Sequence, residues 1–341
     1  MRRVVLVGAG GAFGRLLQAN LGGLGVPVVT ASRRAETELL LDVESVASVR
    51  AQLRPGDVVV DTAGPYQDRT DTLVRTALEV GYDVVDLNDS LAYAERIVAL
   101  EERLRGSEVR VLSSCSSVSV FAAWAIAGSG IAAPTRLTGC IAPSTRHSAS
   151  VATAASLLRS IGRPIRCLHG GKLVTAPGWS ASHEFNFPAP IGRVRGHLFE
   201  TADAVWLPRT WPSLQEVATF VDPRTPGVAA LLSLARRYSA VRACIESMLP
   251  LGTQVSRLLG PRSGGLAYQV DGKHGETVQR TLSASHRAHL AAIAPATLAA
   301  RALVRNEVEP RGLVPPDKHV DWTALETLLE SQGVTCTTAA Y

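Results

Sequence analysis

The chain has 341 residues, 46% of them hydrophobic, 19% charged and 5% aromatic, which is enough for about two domains and a large core without disulfide or metal staples. Disorder is excluded as its main state. The five cysteines (Cys115, Cys140, Cys167, Cys244 and Cys336) are odd in number, dispersed and never spaced as CxxC. That argues against a disulfide framework or a cysteine zinc site and predicts reduced thiols in a cytoplasm. The net charge of +5 contains no basic block, so nucleic acid is not an expected partner. The charge is uneven: between Ile126 and His289, 16 Arg and 2 Lys face 8 acids, a local excess of +10.

After Arg2 and Arg3 the first apolar run, Val4 to Val7, stops at glycine and is too short for a signal peptide, so export is not expected. Strands are predicted at Val4–Val7, Val28–Ala31, Glu38–Leu41, Val58–Asp61, Asp83–Asp86 and Val109–Leu112. Helices are predicted at Ala12–Leu21, Val46–Leu53, Thr70–Val80 and Ala92–Leu104. Short, β-branched, largely apolar strands alternating with helical periods define repeated βαβ units around a doubly covered parallel sheet. The expected fold is α/β: a Rossmann-type, doubly wound parallel sheet with a second, mixed α/β substrate domain.

Directly after the first strand stand Gly8, Ala9, Gly10, Gly11, Ala12, Phe13 and Gly14, opening the first helix. Glycines there permit a tight turn, let backbone approach a pyrophosphate and present helix N-terminal amides to its charge. The spacing reads Gly8-x-x-Gly11-x-x-Gly14. At the end of the second strand, where an NAD enzyme places a carboxylate for the ribose 2′-hydroxyl, stand Ser32, Arg33 and Arg34. Their forked donors suit a 2′-phosphate, so the expected cofactor is NADP(H) rather than NAD(H); the alternative is a pair of solvated loop charges. Asp42 either reaches the adenine edge or caps the helix that follows. The fourth strand ends in Asp61, Thr62, Ala63, Gly64, Pro65 and Tyr66 at the sheet's carboxyl edge, where Tyr66 either faces the nicotinamide or packs beneath the next helix. Ser113 to Pro134 is free of charge and long enough to span a bilayer, but its serine, glycine and alanine content reads as a strand running into a buried helix. Membrane contact is not expected.

The segments GAGGAFGRLL, ASRR, GDVVVDTAGPYQ and ALEVGYDVVDLND resemble the saccharopine dehydrogenase-like family of NADP-binding oxidoreductases over residues 3–120. The resemblance implies a Rossmann domain, a second domain with a mixed sheet, and a C-terminal segment that returns to the first, here Leu290–Arg311 followed by Gly312-Leu-Val-Pro-Pro. It implies cofactor contacts at Gly8, Gly11, Gly14, Arg33, Ala63, Gly64 and Pro65. Domains are therefore expected at 1–125, completed by 290–341, and at 126–289, the latter for substrate and dimerisation, with a homodimer as the assembly. The chain departs from the family at Asp86-Leu-Asn-Asp-Ser90 and Cys115-Ser-Ser-Val-Ser119, near the reaction site, which argues against an amino-acid substrate. The family also includes enoyl reductases acting on carrier-bound lipids.

No Tyr is followed by Lys at the fourth position, which excludes the acid/base pair of short-chain dehydrogenases. Candidate proton donors are ranked by place alone: Tyr66, Cys115 and His147. Cys115 and Ser116, at the same turn, either donate or merely line the site, Arg146 beside His147 would clamp a carboxylate, and His169, His183 and the run His169-Gly-Gly-Lys172 fall in the second domain. No HxH or HExxH spacing occurs, so no metal is expected. Trp179, Phe185, Phe187, Trp206 and Trp211 form either a pocket wall or core packing. The excess of +10 points to an anionic partner, a small molecule or a carrier-bound acyl group, or is a generic arginine-rich surface. The leading expectation is an NADPH-dependent reductase of a C=O, C=N or conjugated C=C bond. The alternative is a non-catalytic NADP-binding redox sensor that acts through a protein partner.

Overall fold

A computed structural model describes residues 2–34 and 36–341. The chain divides into two compact units, Met1–Phe121 with Ala292–Leu325, and Ala122–Ala291 with Glu326–Tyr341.

In the first unit the chain runs β1 (Val4–Val7), α1 (Ala12–Gly23), β2 (Val28–Ser32), β3 (Leu39–Leu40), α2 (Val46–Gln52), β4 (Val58–Asp61), α3 (Thr72–Val80), β5 (Asp83–Asp86), α4 (Leu91–Val98), α5 (Glu101–Arg105) and β6 (Arg110–Leu112), and enters α6 (Ser119–Ala127). The strands pair in parallel in the order β6-β5-β4-β1-β2-β3, and a two-residue strand, Gly312–Leu313, adds in parallel outside β6. This is the expected doubly wound sheet. Every residue of β1, β4 and β5 is buried, because helices cover both faces. The helix Ala294–Val304 packs on β4 and β5, and its Ala-rich sequence allows that close approach; nine of its residues are buried. Order reverses between β1 and β4, so the crevice for a ligand opens at their carboxyl ends.

Two local expectations change. The helix expected over Ala92–Leu104 is two helices, because the Leu100 amide bonds to Ile97 three residues back and tightens the turn while Leu100 and Leu104 bury. The third strand is only two residues long, pairing Ala31 with Leu39 and Ser32 with Leu40.

The second unit contains β7 (Pro134–Ala142), α7 (Thr145–Ser148), α8 (Val151–Ser160), β8 (Pro164–His169), β9 (Lys172–Pro177), β10 (Ser182–Asn186), β11 (Arg193–Phe199), α9 (Asp203–Thr210), β12 (Glu216–Val221), α10 (Val228–Arg237), α11 (Ser239–Ser247), α12 (Leu249–Leu259), β13 (Gly264–Gly272) and β14 (Thr277–Ala284). Its sheet is mixed: β12 runs parallel to β7, and the other pairs are antiparallel. The C-terminal segment 290–341, expected to return whole to the first domain, divides instead. Residues 292–325 lie in the first unit, whereas Thr335–Ala340 pairs antiparallel with β14 as an edge strand of the second. That segment is held by Glu326, whose Oε1 accepts from Trp124 Nε1 at 2.7 Å and from Arg280 Nη2 at 3.1 Å while the guanidinium lies 3.5 Å over the Trp124 ring. An edge strand exposed along most of its length carries no apolar alternation, which is why the sequence pattern missed it.

The stretch 113–134 is what its composition predicts, a strand end leading into α6, whose residues Val120 to Ile126 are buried. Among the described residues no helix is long and apolar enough to cross a membrane. All five cysteines are free.

Candidate functional site

The crevice begins at the glycine turn. Gly8 adopts φ +76°, donates its amide to Ala31 O at 2.9 Å, and accepts from the Gly11 amide at 2.8 Å. A Cβ at Gly8 would sit 2.8 Å from Thr62 Oγ1 and 3.0 Å from the Ala63 amide, and one at Gly14 would lie 2.7 Å from Ala9 Cα. These two positions therefore demand glycine, one for its backbone angle and its approach to β4, the other for seating α1 against the turn. A Cβ at Gly10 would meet nothing within 4 Å, and Gly11 is the exposed N-cap of α1 with no side-chain cap. The first-turn amides of Ala12, Phe13 and Gly14 have no partner within the helix and lie next to the open backbone of Gly10 and Gly11. Arg15 folds back, donating to Gly10 O at 2.7 Å. Buried Leu17 and Leu21 continue the face begun at Gly14 and fix α1 on the sheet.

At the end of β2, Ser32 Oγ accepts from the Arg34 amide at 3.0 Å and shapes the turn. Arg33 and Arg34 are exposed, and among the described residues neither guanidinium has a hydrogen-bond or ion-pair partner. Asp42 neither caps α2 nor stands free. Its Oδ1 accepts from the Glu44 amide at 3.1 Å in a turn, and the cap is Ser45, which accepts from Ser48.

The end of β4 is clamped from below. Arg69, buried, donates Nη2 to Asp61 Oδ2 at 2.9 Å and Nη1 to Ala63 O at 2.6 Å, and its Nε meets Glu44. Glu44 Oε2 in turn accepts from Thr70, and Arg96 donates to the Arg69 carbonyl. Asp61 Oδ1 accepts the Ala63 amide at 2.9 Å, while Thr62 donates Oγ1 to Val7 O at 2.7 Å. The Ala63-Gly64-Pro65 backbone is thereby fixed beside the glycine turn. Burial works against the Arg69 charge, but Asp61 outweighs it and raises the guanidinium above its ordinary value.

Two sequence candidates for proton transfer lie buried in the first unit. The Tyr66 hydroxyl donates to Asp61 O at 2.6 Å and accepts from the Leu87 amide at 3.1 Å, its ring lies 5.3 Å from Tyr93, and it is buried. Burial, reinforced by Asp61, pushes it well above the ordinary tyrosine range, so it is a structural pillar. Cys115 is fully buried, its amide donates to Asp86 O at 2.8 Å, and burial together with Asp86 pushes its thiol well up. Its neighbour Ser116 is buried as well.

His147, the third candidate, belongs to the second unit, exposed on α7 with its ring 5.3 Å from that of His289. Arg146 beside it is engaged, donating Nε to Gly260 O at 3.2 Å, and is no carboxylate clamp. His169-Gly-Gly-Lys172 is the two-residue turn of the β8–β9 hairpin, with both glycines at positive φ. Trp179, Phe185, Phe187 and Trp206 are buried and Trp211 is half-buried; Trp179 and Phe187 also line surface cavities of this unit, so both readings of the cluster hold in part.

Sequence reasoning passed over the polar network beneath the crevice. Asp61 and Asp86 pair in register at the ends of adjacent strands, and both are fully buried. Asp86 Oδ1 accepts from the amides of Asn88 at 3.0 Å and Ser114 at 2.8 Å, and Oδ2 has no partner among the described residues. Asn88 bridges Ser90 O and Ser114 Oγ at 3.1 and 3.0 Å. Burial pushes Asp86 up to about 6 against the pull of those two amides. The legible signal was the repeated ending of an apolar strand in aspartate, VVVD and DVVD, with an arginine eight residues after the first.

The chain is similar over its whole length to saccharopine dehydrogenase (L-Glu forming) from Saccharomyces cerevisiae, with 13% identity, 100% of both chains covered and a TM-score of 0.63. The fold is therefore saccharopine dehydrogenase-like: a Rossmann-type α/β unit with a second, mixed-sheet unit. An oxidoreductase from Pseudomonas syringae matches with 11% identity, 99% and 98% coverage and a TM-score of 0.37. No family model and no curated protein matches the chain.

Two outcomes test this geometry. R69M leaves Asp61 buried and unpaired and lowers unfolding free energy by about 3–5 kcal/mol in denaturant titration. Because the folded-state value of Asp86 lies above the ordinary one, the folded chain holds more protons than the unfolded chain between about pH 4 and 6. Wild-type stability relative to D86N therefore falls by about 3 kcal/mol as pH rises through that window and then levels, as read from paired urea titrations. A flat difference would show that Asp86 ionises normally.

Proposed function

We propose that this protein is a cytoplasmic, NADPH-dependent reductase that transfers hydride to a C=O, C=N or conjugated C=C bond of a small anionic or carrier-linked metabolite. The observation that carries it is the pairing of a glycine cradle that a Cβ would fill at Gly8 and Gly14 with two unpartnered guanidiniums at the end of β2. The saccharopine dehydrogenase-like fold supports the redox class.

The residues present fit the cofactor. Amides at the start of α1 and the open backbone at Gly10 and Gly11 receive its pyrophosphate, and Arg33 and Arg34 hold its 2′-phosphate with forked donors. Ala63, Gly64 and Pro65, anchored by Arg69, supply a small-residue floor for its nicotinamide end. The bound cofactor supplies the hydride, and the protein's part is to orient the acceptor and exclude water.

A second reading, a non-catalytic NADP-binding redox sensor acting on a protein partner, is favoured by one observation: Tyr66 and Cys115 are both withdrawn into the core of the first unit. The two readings share cofactor binding and differ in turnover.

Titration with NADPH enhances its fluorescence with saturation, and R33D/R34D weakens NADPH at least tenfold while sparing NADH, since two charge-assisted contacts to the 2′-phosphate are lost. G14V abolishes binding of both. Absence of NADPH binding by the wild-type chain refutes both readings; NADPH binding without oxidation across a panel of anionic carbonyl, imine and enoyl substrates selects the sensor.

A further inference from the structure

Two helices of the second unit, α10 and α12, present apolar side chains outward, whereas Val241 and Ile245 of the intervening α11 pack against the core. On α12 and its cap, Met248, Leu251, Val255, Leu258 and Leu259 recur at helical spacing on one stripe and are between 40% and 71% exposed, whereas the residue this helix buries is Thr253. A helix of a water-soluble domain ordinarily does the reverse. On α10, Leu231, Leu234 and Tyr238 stand outward in the same way, while Leu232 and Ala235 face the core. Apolar side chains concentrated like this mark a contact surface.

The charge around the stripe says what kind. Residues 228–262 contain five arginines, Arg236, Arg237, Arg242, Arg257 and Arg262, against one acid, Glu246, which itself lies 3.6 Å from Arg163. Arg236 and Arg237 have no side-chain partner among the described residues. Leucines on the outer faces of helices, bordered by guanidiniums, match the pattern of helices that lie in a lipid interface with their apolar face in the acyl boundary and their cations at the phosphates. We propose that the outer faces of α10 and α12 form a docking surface for an anionic phospholipid membrane, on which the protein rests without crossing it. A second copy fits this face poorly, because it would oppose five arginines to five with one glutamate on each side. Protruding leucines suit a fluid acyl layer, which needs no complementary shape. The proposal concerns the second unit alone and is independent of the dinucleotide reading.

Flotation of the full chain with vesicles tests it. The protein floats with phosphatidylcholine mixed with phosphatidylglycerol, floats weakly with phosphatidylcholine alone, and is released by salt. L258S/L259S removes flotation with an unchanged unfolding midpoint, since both sites are exposed, and R236Q/R237Q weakens partition about fivefold per arginine. The proposal is overturned if the wild-type chain stays unbound with the mixed vesicles, if both double variants float as it does, or if light scattering shows a dimer that L258S/L259S dissolves, which would make the face a self-association surface.

Discussion

The first unit turns on one buried ion pair. Arg69 lies almost wholly inside the protein, and its guanidinium reaches Asp61, the Ala63 carbonyl and Glu44 at once. Each contact fixes a different piece of the crevice. Asp61 ends β4 and orients the Ala63 amide, the Ala63 carbonyl sets the loop, and Glu44 ties that loop to the segment preceding α2. The glycine turn then rests against this loop so closely that a methyl at Gly8 would strike Thr62 and Ala63. A buried pair is a poor source of net stability, because desolvation offsets the attraction. Its worth here is positional, since it holds the irregular backbone at the carboxyl edge of the sheet in one conformation.

Burial sets the unusual state of Asp86, and the arginine does not relieve it. Two carboxylates end adjacent strands inside the protein, and the nearby guanidinium contacts Asp61, not Asp86. Asp86 is left with two backbone amides and no cation, which compensate its burial only partly, so it holds its proton up to about pH 6. Tyr66 belongs to this arrangement as well. Its hydroxyl joins the Asp61 carbonyl to the Leu87 amide and so ties the end of β4 to the loop after β5. A tyrosine one residue after a Gly-Pro turn at a sheet edge invites a catalytic reading, but its two hydrogen bonds and its burial consume the group.

What was legible in the sequence is what backbone rules govern. The strand and helix periods, the glycine turn and the position of the arginines at the end of β2 follow from local pattern, and the parallel sheet follows from their alternation. What was not legible depends on partners distant in sequence. Arg69 meets Glu44 25 residues away, and the tail strand meets β14 across more than fifty residues, so neither contact leaves a local trace. Asp42 looked like a cap because it precedes a helix, yet Ser45 is closer to the first turn and takes the role. The aromatic residues of the second unit, separated by prolines, read equally as wall or core, and in the structure each reading holds in part.

Charge illustrates the same limit. The excess of +10 in the second unit suggested either an anionic partner or a generic arginine-rich surface, and several of its arginines are internally engaged. Arg136, Arg193 and Arg280 meet Glu216, Glu184 and Glu326, while Arg146, Arg224 and Arg242 donate to the carbonyls of Gly260, Ser263 and Ile161. A guanidinium bonded to a carbonyl keeps its charge but no longer offers its full fork of donors. Arg236 and Arg237 differ because they keep their donors free beside exposed leucines of the same helix, where charge and apolar surface act on one partner together.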